Sequence, residues 1–374
     1  MTSNSTPQTH RTLKLTSTSQ PPTVTTSPVP TAGPGSVVAR VLAATVLPYT
    51  GAILSGERRY PLPLPLTPGA QAICRVVATG PDTTTLAPGS LILFDATIRA
   101  RDDPSVIFAS GMMEGATAAA RTLSRGEWRD STYAEFARLP LENCIPVDEA
   151  RLRALGYAVE DLLHACAMLT PVGGLCDVGL RAGESVAIAP ATGHFGGAAV
   201  HVALAMGARV VAMGRNEEVL ARLRGLDETR VATVRISGDV EADAEALVEA
   251  AGGRLDVVLD ISSPMAAGST HFQSCVKALK FGGRISLMGG VADGMALSYG
   301  TILYQGLTVK GTWMCTREQA VGLVKMIEAG VLPLGEKRGL HLVGKFGLAE
   351  WEKAFQTAAE HASAGEAVAL CPAL

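Results

Sequence analysis

Residues 183–197 read GESVAIAPATGHFGG, and this stretch decides the fold. ESVAIAPA reads as a short apolar strand. Ala191-Thr192-Gly193-His194-Phe195-Gly196-Gly197 follows it, and an apolar run of helical spacing, GGAAVHVALAMG, starts inside the glycines. The turn fits A-x-G-x-x-G, a variant of the G-x-G-x-x-G fingerprint with Ala at the first position. At Gly193 the bare backbone would let a pyrophosphate approach, and at Gly196 it would let the helix pack close to its strand. The helix start offers unpaired N–H groups and the positive end of a dipole to the phosphates. Thr192, Gly193, His194, Phe195, Gly196 and Gly197 are therefore candidate cofactor-binding residues. The bulky His194 and Phe195 would serve through their backbone N–H groups.

Outward from this turn, ARVVAMG, EEVLARLRGL, VATVRIS, DAEALVEAAG, LDVVLDIS, MAAGSTHFQSCVKAL, GGRISLMGG and LTVKGTW alternate as strand and helix. That alternation predicts an α/β fold with a Rossmann-type, doubly wound parallel sheet whose strand ends line one crevice. The second strand ends in Gly214-Arg215-Asn216. An NAD site wants an acidic residue there for the ribose 2′-OH, whereas the Arg215 guanidinium can grip a 2′-phosphate, so the expected cofactor is NADPH. Ser262 and Ser263 end the LDVVLDIS strand at the same crevice.

Before this region, Ser36–Val46, Ala72–Thr79, Ser90–Phe94 and Tyr133–Leu139 read as short strands between Gly- and Pro-marked turns, which predicts a compact β-rich domain. Ala118–Arg129 reads as a surface loop or short helix. After Thr316 come one more helix, REQAVGLVKMIEAG, and a βαβ-like tail that returns to complete the first domain.

The 374 residues suit two domains, and 47% apolar against 18% charged residues supply a sizeable core. A net charge of −3 without a basic stripe makes nucleic acid and anionic membrane poor partners. The seven cysteines are scattered without a C-x-x-C pair, which argues against a disulfide framework and a cysteine-rich zinc site. No apolar run reaches the length of about 18 residues that a membrane helix needs, and no secretory leader is legible, so a cytoplasmic location is expected. The first 35 residues are rich in Ser, Thr and Pro, and no acidic residue precedes Glu57. Only Arg11, Lys14 and Arg40 are basic there and Pro interrupts any helix. A disordered tail before a first strand near Thr12–Thr16 is expected rather than an organelle-targeting segment.

The glycine turn, the stretch PLTPGAQAICRVVATGPDTTTLAPGSLILF at residues 65–94 and the returning C-terminal segment together resemble the medium-chain dehydrogenase/reductase superfamily. The resemblance runs from about Arg11 to the last residue, and LAPGS resembles that family's kPGD turn. It implies a GroES-like catalytic domain split around the nucleotide domain. The implied boundaries are a tail at 1–11, the catalytic domain at 12–160 and 312–374, and the NADPH-binding domain at 161–311.

Zinc-dependent members carry a Cys ligand after the second strand, Gly-His-Glu at the third, and a Cys before the nucleotide domain. Here the first position falls on Leu47, and Gly-His-Glu becomes Gly69-Ala70-Gln71; Cys166 alone matches a ligand. One thiolate cannot hold a three-ligand catalytic site, so no zinc is expected. The structural zinc lobe needs four closely spaced cysteines, and no cysteine lies between Cys74 and Cys144. The chain thus resembles the zinc-independent quinone and enoyl reductase branch. The implied reaction is NADPH-dependent reduction of an activated C=C bond in an apolar, conjugated small molecule. The alternatives are a zinc-free ketone or aldehyde reductase or alcohol dehydrogenase, and an NADPH-binding protein with little turnover.

By the same resemblance Tyr49 faces the nicotinamide and can hydrogen-bond or protonate substrate. Thr170, in LTP, orients the ring. Met288-Gly289-Gly290 run past the nicotinamide carboxamide, and Met314 with Cys315 edges the pocket. His164 reads as a core histidine and Cys166 as a buried relic. The family also implies a homodimer in which the last nucleotide-domain strands pair across two chains.

Overall fold

A computed structural model describes residues 7–291 and 296–374. The chain divides into two compact units, one of residues up to Cys166 with Leu342–Ala362 and Ala367–Leu374, the other of Ala167–His341 with Ser363–Glu366. Among the described residues no helix is long and apolar enough to cross a membrane.

The second unit is a six-stranded, all-parallel sheet. Numbered within this unit, its strands are β1 (Ser185–Ala189), β2 (Arg209–Gly214), β3 (Val231–Arg235), β4 (Leu255–Asp260), β5 (Leu279–Leu287) and β6 (Thr308–Gly311). Their order is β3-β2-β1-β4-β5-β6. The order reverses between β1 and β4, the switch point at which open α/β sheets take their ligands. All five residues of β1 are buried, as a central strand covered on both faces requires. The helices are α1 (His194–Ala205), α2 (Glu217–Arg224), α3 (Val240–Ala251), α4 (His271–Ala278), α5 (Tyr299–Gln305) and α6 (Arg317–Glu328).

The first unit is β-rich. Ser36–Thr45 is its central strand, paired antiparallel with Ala72–Thr79 and Phe136–Pro140, and the sheet continues through Leu91–Phe94 to Cys144–Pro146. On the other side Glu366–Leu370 and His341–Phe346 complete seven strands. Two register shifts in the Ser36–Thr45 ladder bend this strand. The core gathers Leu13, Val41, Ile92, Phe94, Tyr133 and Phe355.

Several expectations differ from what is found. The first strand is Thr9–Lys14, beginning inside the expected tail 1–11; it pairs over six residues with Thr23–Pro28. Residues 1–6 of that tail lie outside the described residues. The helix expected over MAAGSTHFQSCVKAL is a short turn at Pro264–Ala266 followed by α4, because Gly268 takes a left-handed φ of 78° between them. Residues 312–341 group with the nucleotide unit rather than with the catalytic one. Asp177 explains this: it accepts hydrogen bonds from Thr312 Oγ1 and Gln319 Nε2, each at 2.9 Å, and pairs with Lys310 at 3.4 Å, which ties the segment after β6 to this unit. The boundary expected at residue 161 also differs, since residues 161–166 fall with the β-rich unit.

Candidate functional site

Gly193 is the N-cap of α1, in extended conformation and without a side chain to cap it, so among the described residues the first N–H groups of the helix have no side-chain cap from that position. A Cβ built on Gly193 would meet nothing within 4 Å, so open space lies over the helix start. The other glycines answer to packing. A Cβ on Gly196 would lie 2.1 Å from the Pro190 carbonyl oxygen, on Gly197 2.3 Å from Ala364 Cβ, and on Gly214 2.5 Å from Thr192 Cγ2. Any side chain at these positions would push the helix, the C-terminal segment or β2 away from the turn.

That C-terminal segment, Ser363–Glu366, lies against the turn. Ala364 N–H donates to the Thr192 carbonyl at 3.0 Å, and Gly193 forms an antiparallel bridge with Ser363. His194 Nδ1 stands 3.1 Å from the Glu366 carbonyl, and its ring meets Phe195 edge-on. Burial lowers the His194 pKa against the opposing effect of that carbonyl, so its imidazole is neutral at neutral pH. His194 therefore offers an incoming phosphate backbone N–H rather than a charged ring.

At the end of β2, Arg215 is exposed and its guanidinium makes no hydrogen bond or ion pair among the described residues. Asn216 Oδ1 accepts from Val219 N at 3.1 Å and caps α2. Arg235, at the end of β3, is in register with Gly214 and pairs with Glu217 at 2.9 Å. It brings a second guanidinium to this strand end. Sequence reasoning passed over it because register between parallel strands is set by packing.

Across the switch point, Ser262 is buried just beyond β4, while Ser263, Gly289 and Gly290 are exposed. Gly290 N–H donates to the Ser262 carbonyl at 2.8 Å, so the two strand ends form one wall. Thr170 and Met314 come together: the Thr170 hydroxyl donates to Met314 Sδ at 3.7 Å. Met314 holds a left-handed φ of 67°, which costs about 1 kcal/mol for a side-chain-bearing residue. A Cβ on Gly173 would lie 2.7 Å from the Met314 carbonyl oxygen, and one on Gly174 2.2 Å from Met288 Sδ. The glycine pair thus admits both methionine segments beside the helix that carries Thr170.

In the β-rich unit, Tyr49 is half-buried beside the core with the Arg58 guanidinium 4.0 Å from its ring centroid. Burial pushes its phenol pKa well up, Tyr60 adds to this and Arg58 opposes it, so the hydroxyl keeps its proton. Leu47, Ala70, His164 and Cys166 are all buried in this unit. Burial pushes the Cys166 thiol up to about 12, against a hydrogen bond with Thr45 that lowers it. A thiol so raised is a poor nucleophile. Among the described residues no three His, Cys, Asp or Glu side chains are grouped to hold a metal.

The zinc-binding dehydrogenase family matches residues 195–329, and the alcohol dehydrogenase GroES-like domain matches residues 33–149. The chain is 29% identical to alcohol dehydrogenase 1 of Emericella nidulans over 45% of its length and 47% of that relative. It is 27% identical to the acryloyl-coenzyme A reductase of Metallosphaera sedula over 71% of its length and 73% of that protein. Its fold is similar to that of acetophenone reductase from Geotrichum candidum in complex with NAD, with TM-score 0.72, 18% identity and 98% of each chain covered. With a 3-2-1-4-5-6 parallel sheet, a glycine turn capping its first helix and a GroES-like unit, the chain belongs to the medium-chain dehydrogenase/reductase superfamily and is an NAD(P)-dependent oxidoreductase.

Proposed function

We propose that this enzyme uses NADPH and works without zinc, reducing a C=C bond conjugated to a carbonyl in an apolar small molecule. The donor set carries this reading. Zinc needs N, S or O ligands, and the positions where zinc-dependent relatives place them hold Leu47, Gly69-Ala70-Gln71 and Cys166. Without a Lewis acid on the substrate oxygen, a conjugated C=C is the easier hydride acceptor, because its carbonyl needs only a hydrogen-bond donor. Elemental analysis is expected to find no stoichiometric zinc; about one zinc per chain overturns this reading.

The nucleotide unit suits a dinucleotide. The open space over Gly193, the uncapped α1 N–H groups and the packed Gly196 suit a pyrophosphate. Bound NADPH supplies the hydride. Arg215 is assigned to the 2′-phosphate, Thr170 to orienting the ring and Tyr49 to donating a hydrogen bond to the substrate oxygen; solvent supplies the proton. Arg215→Ala is expected to weaken NADPH binding by about tenfold or more and to leave NADH binding unchanged. Unchanged NADPH affinity in a fluorescence titration refutes the assignment.

A second reading is the carbonyl–alcohol couple, which the alcohol dehydrogenase relative favours. There the protonated Tyr49 hydroxyl would have to polarise the carbonyl alone. Supplying an α,β-unsaturated aldehyde and identifying the product by NMR separates the two. A saturated aldehyde supports C=C reduction, and an allylic alcohol supports the second reading.

The enzyme is further proposed to pair with a second copy of itself. The outer side of β6 carries no partner strand among the described residues, and the exposed Phe281, Tyr299, Leu303 and Tyr304 lie on β5 and α5. An open strand edge with exposed aromatics fits the same edge of a second chain about a two-fold axis.

A further inference from the structure

Three buried polar side chains, Asp260, Ser262 and His271, stand together on the far side of the switch point. Asp260 ends β4, Ser262 lies two residues on, and His271 opens α4; they are 1%, 2% and 0% exposed. The Ser262 hydroxyl donates to Asp260 Oδ2 at 2.8 Å. Its only proton is then used, so toward His271 Nε2, also 2.8 Å away, it acts as acceptor. This assigns the ring hydrogen to Nε2, which also stands 3.3 Å from Asp260 Oδ2. Nδ1 meets Ser269 Oγ at 2.7 Å.

The residue types are those of a nucleophilic triad, but the arrangement is not. Ser262 lies between acid and base instead of at the end of the relay, and all three groups are sealed from any substrate. What the network touches is main chain. The Asp260 carbonyl accepts Met288 N–H at 2.9 Å, and the Ser262 carbonyl accepts Gly290 N–H at 2.8 Å. Asp260 Oδ1 lies 3.3 Å from Ser262 N. A Cβ on Gly289 would lie 2.8 Å from both Asp260 Oδ1 and the Ser262 carbonyl oxygen. The exposed Gly289–Gly290 wall therefore rests directly on the buried carboxylate. In a 3-2-1-4-5-6 sheet, a dinucleotide with its pyrophosphate at α1 and its 2′-phosphate beyond β2 must lay its other half over β4 and β5.

We propose that Asp260, Ser262 and His271 are positioning residues for the nicotinamide half of the cofactor, fixing the main chain of Ser262 and Gly289–Gly290 from beneath. This rests on the dinucleotide reading above. A pair of ligands tests it: NADPH, which spans both halves, and adenosine 2′,5′-bisphosphate, which occupies only the half beyond β2. His271→Leu and Ser262→Ala are expected to weaken NADPH by about tenfold or more and to leave the bisphosphate unaffected. His271→Gln, whose amide can donate where Nε2–H does, is expected to restore most of the NADPH affinity. Ser262→Ala removes one hydroxyl and keeps the test available if His271→Leu fails to fold. Unchanged NADPH affinity in both disruptive variants, or equal losses for the two ligands, overturns the proposal. A wild-type protein that binds neither ligand overturns the dinucleotide reading and this inference with it.

Discussion

Asp95 follows the strand Leu91–Phe94 and is buried in the β-rich unit. Burial raises its pKa to about 6, and hydrogen bonds from Thr97 with the nearby Arg99 pull it back only in part. The unfolded chain releases this proton near pH 4, so between about pH 4 and pH 6 the folded state binds more protons than the unfolded one. Stability from this group therefore falls as pH rises through that window and levels off above it. The total is of order 3 kcal/mol at most. Asp95→Asn keeps an acceptor for Thr97 N–H and removes the titration. In urea unfolding at several pH values, the variant is expected to gain on the wild type as pH rises from 4 to 6. A difference curve flat across that window refutes the assignment. Met314 is a different kind of costly residue. Its left-handed backbone sits beside Thr170, and strain of this sort concentrates at functional sites.

The start of α1 is the element on which the nucleotide unit turns. Gly196→Ala places a methyl group against the Pro190 carbonyl and is expected to destabilise the protein by about 1–3 kcal/mol and to weaken NADPH binding with it. A variant with wild-type melting temperature and NADPH affinity refutes this packing role. This turn was legible in the sequence because its close approaches are local: strand, glycines and helix follow one another within fifteen residues. The six alternating strands were legible for a related reason, as each is a short apolar run between Gly- or Asp-marked turns. Arg235 and the Asp260–Ser262–His271 network were not. Their partners come from neighbouring elements, and no local pattern encodes that register. Thr23–Pro28 escaped notice because it is almost wholly exposed and lacks an apolar alternation. The helix read across Met265–Leu279 is interrupted because one left-handed glycine, Gly268, outweighs the helix formers around it.

At the scale of the whole molecule, the proposed pairing through β6 and α5 predicts a dimer in light scattering. Tyr304→Glu is expected to weaken the dimer by about 2 kcal/mol or more, yielding monomer at micromolar concentration. A wild type that is already monomeric refutes the pairing. The chain divides less simply than the sequence implied, since both units are assembled from separated segments. The Ser363–Glu366 segment is the telling case, because it backs a glycine turn encoded some 170 residues earlier in the chain. On the ribosome, where domains ordinarily fold as they emerge, Thr192 and His194 leave the tunnel long before Ala364 and Glu366 are made. The glycine turn therefore reaches its final form only after residue 366 has left the ribosome, and a nascent chain halted short of residue 363 would carry the fingerprint without the backing that shapes it.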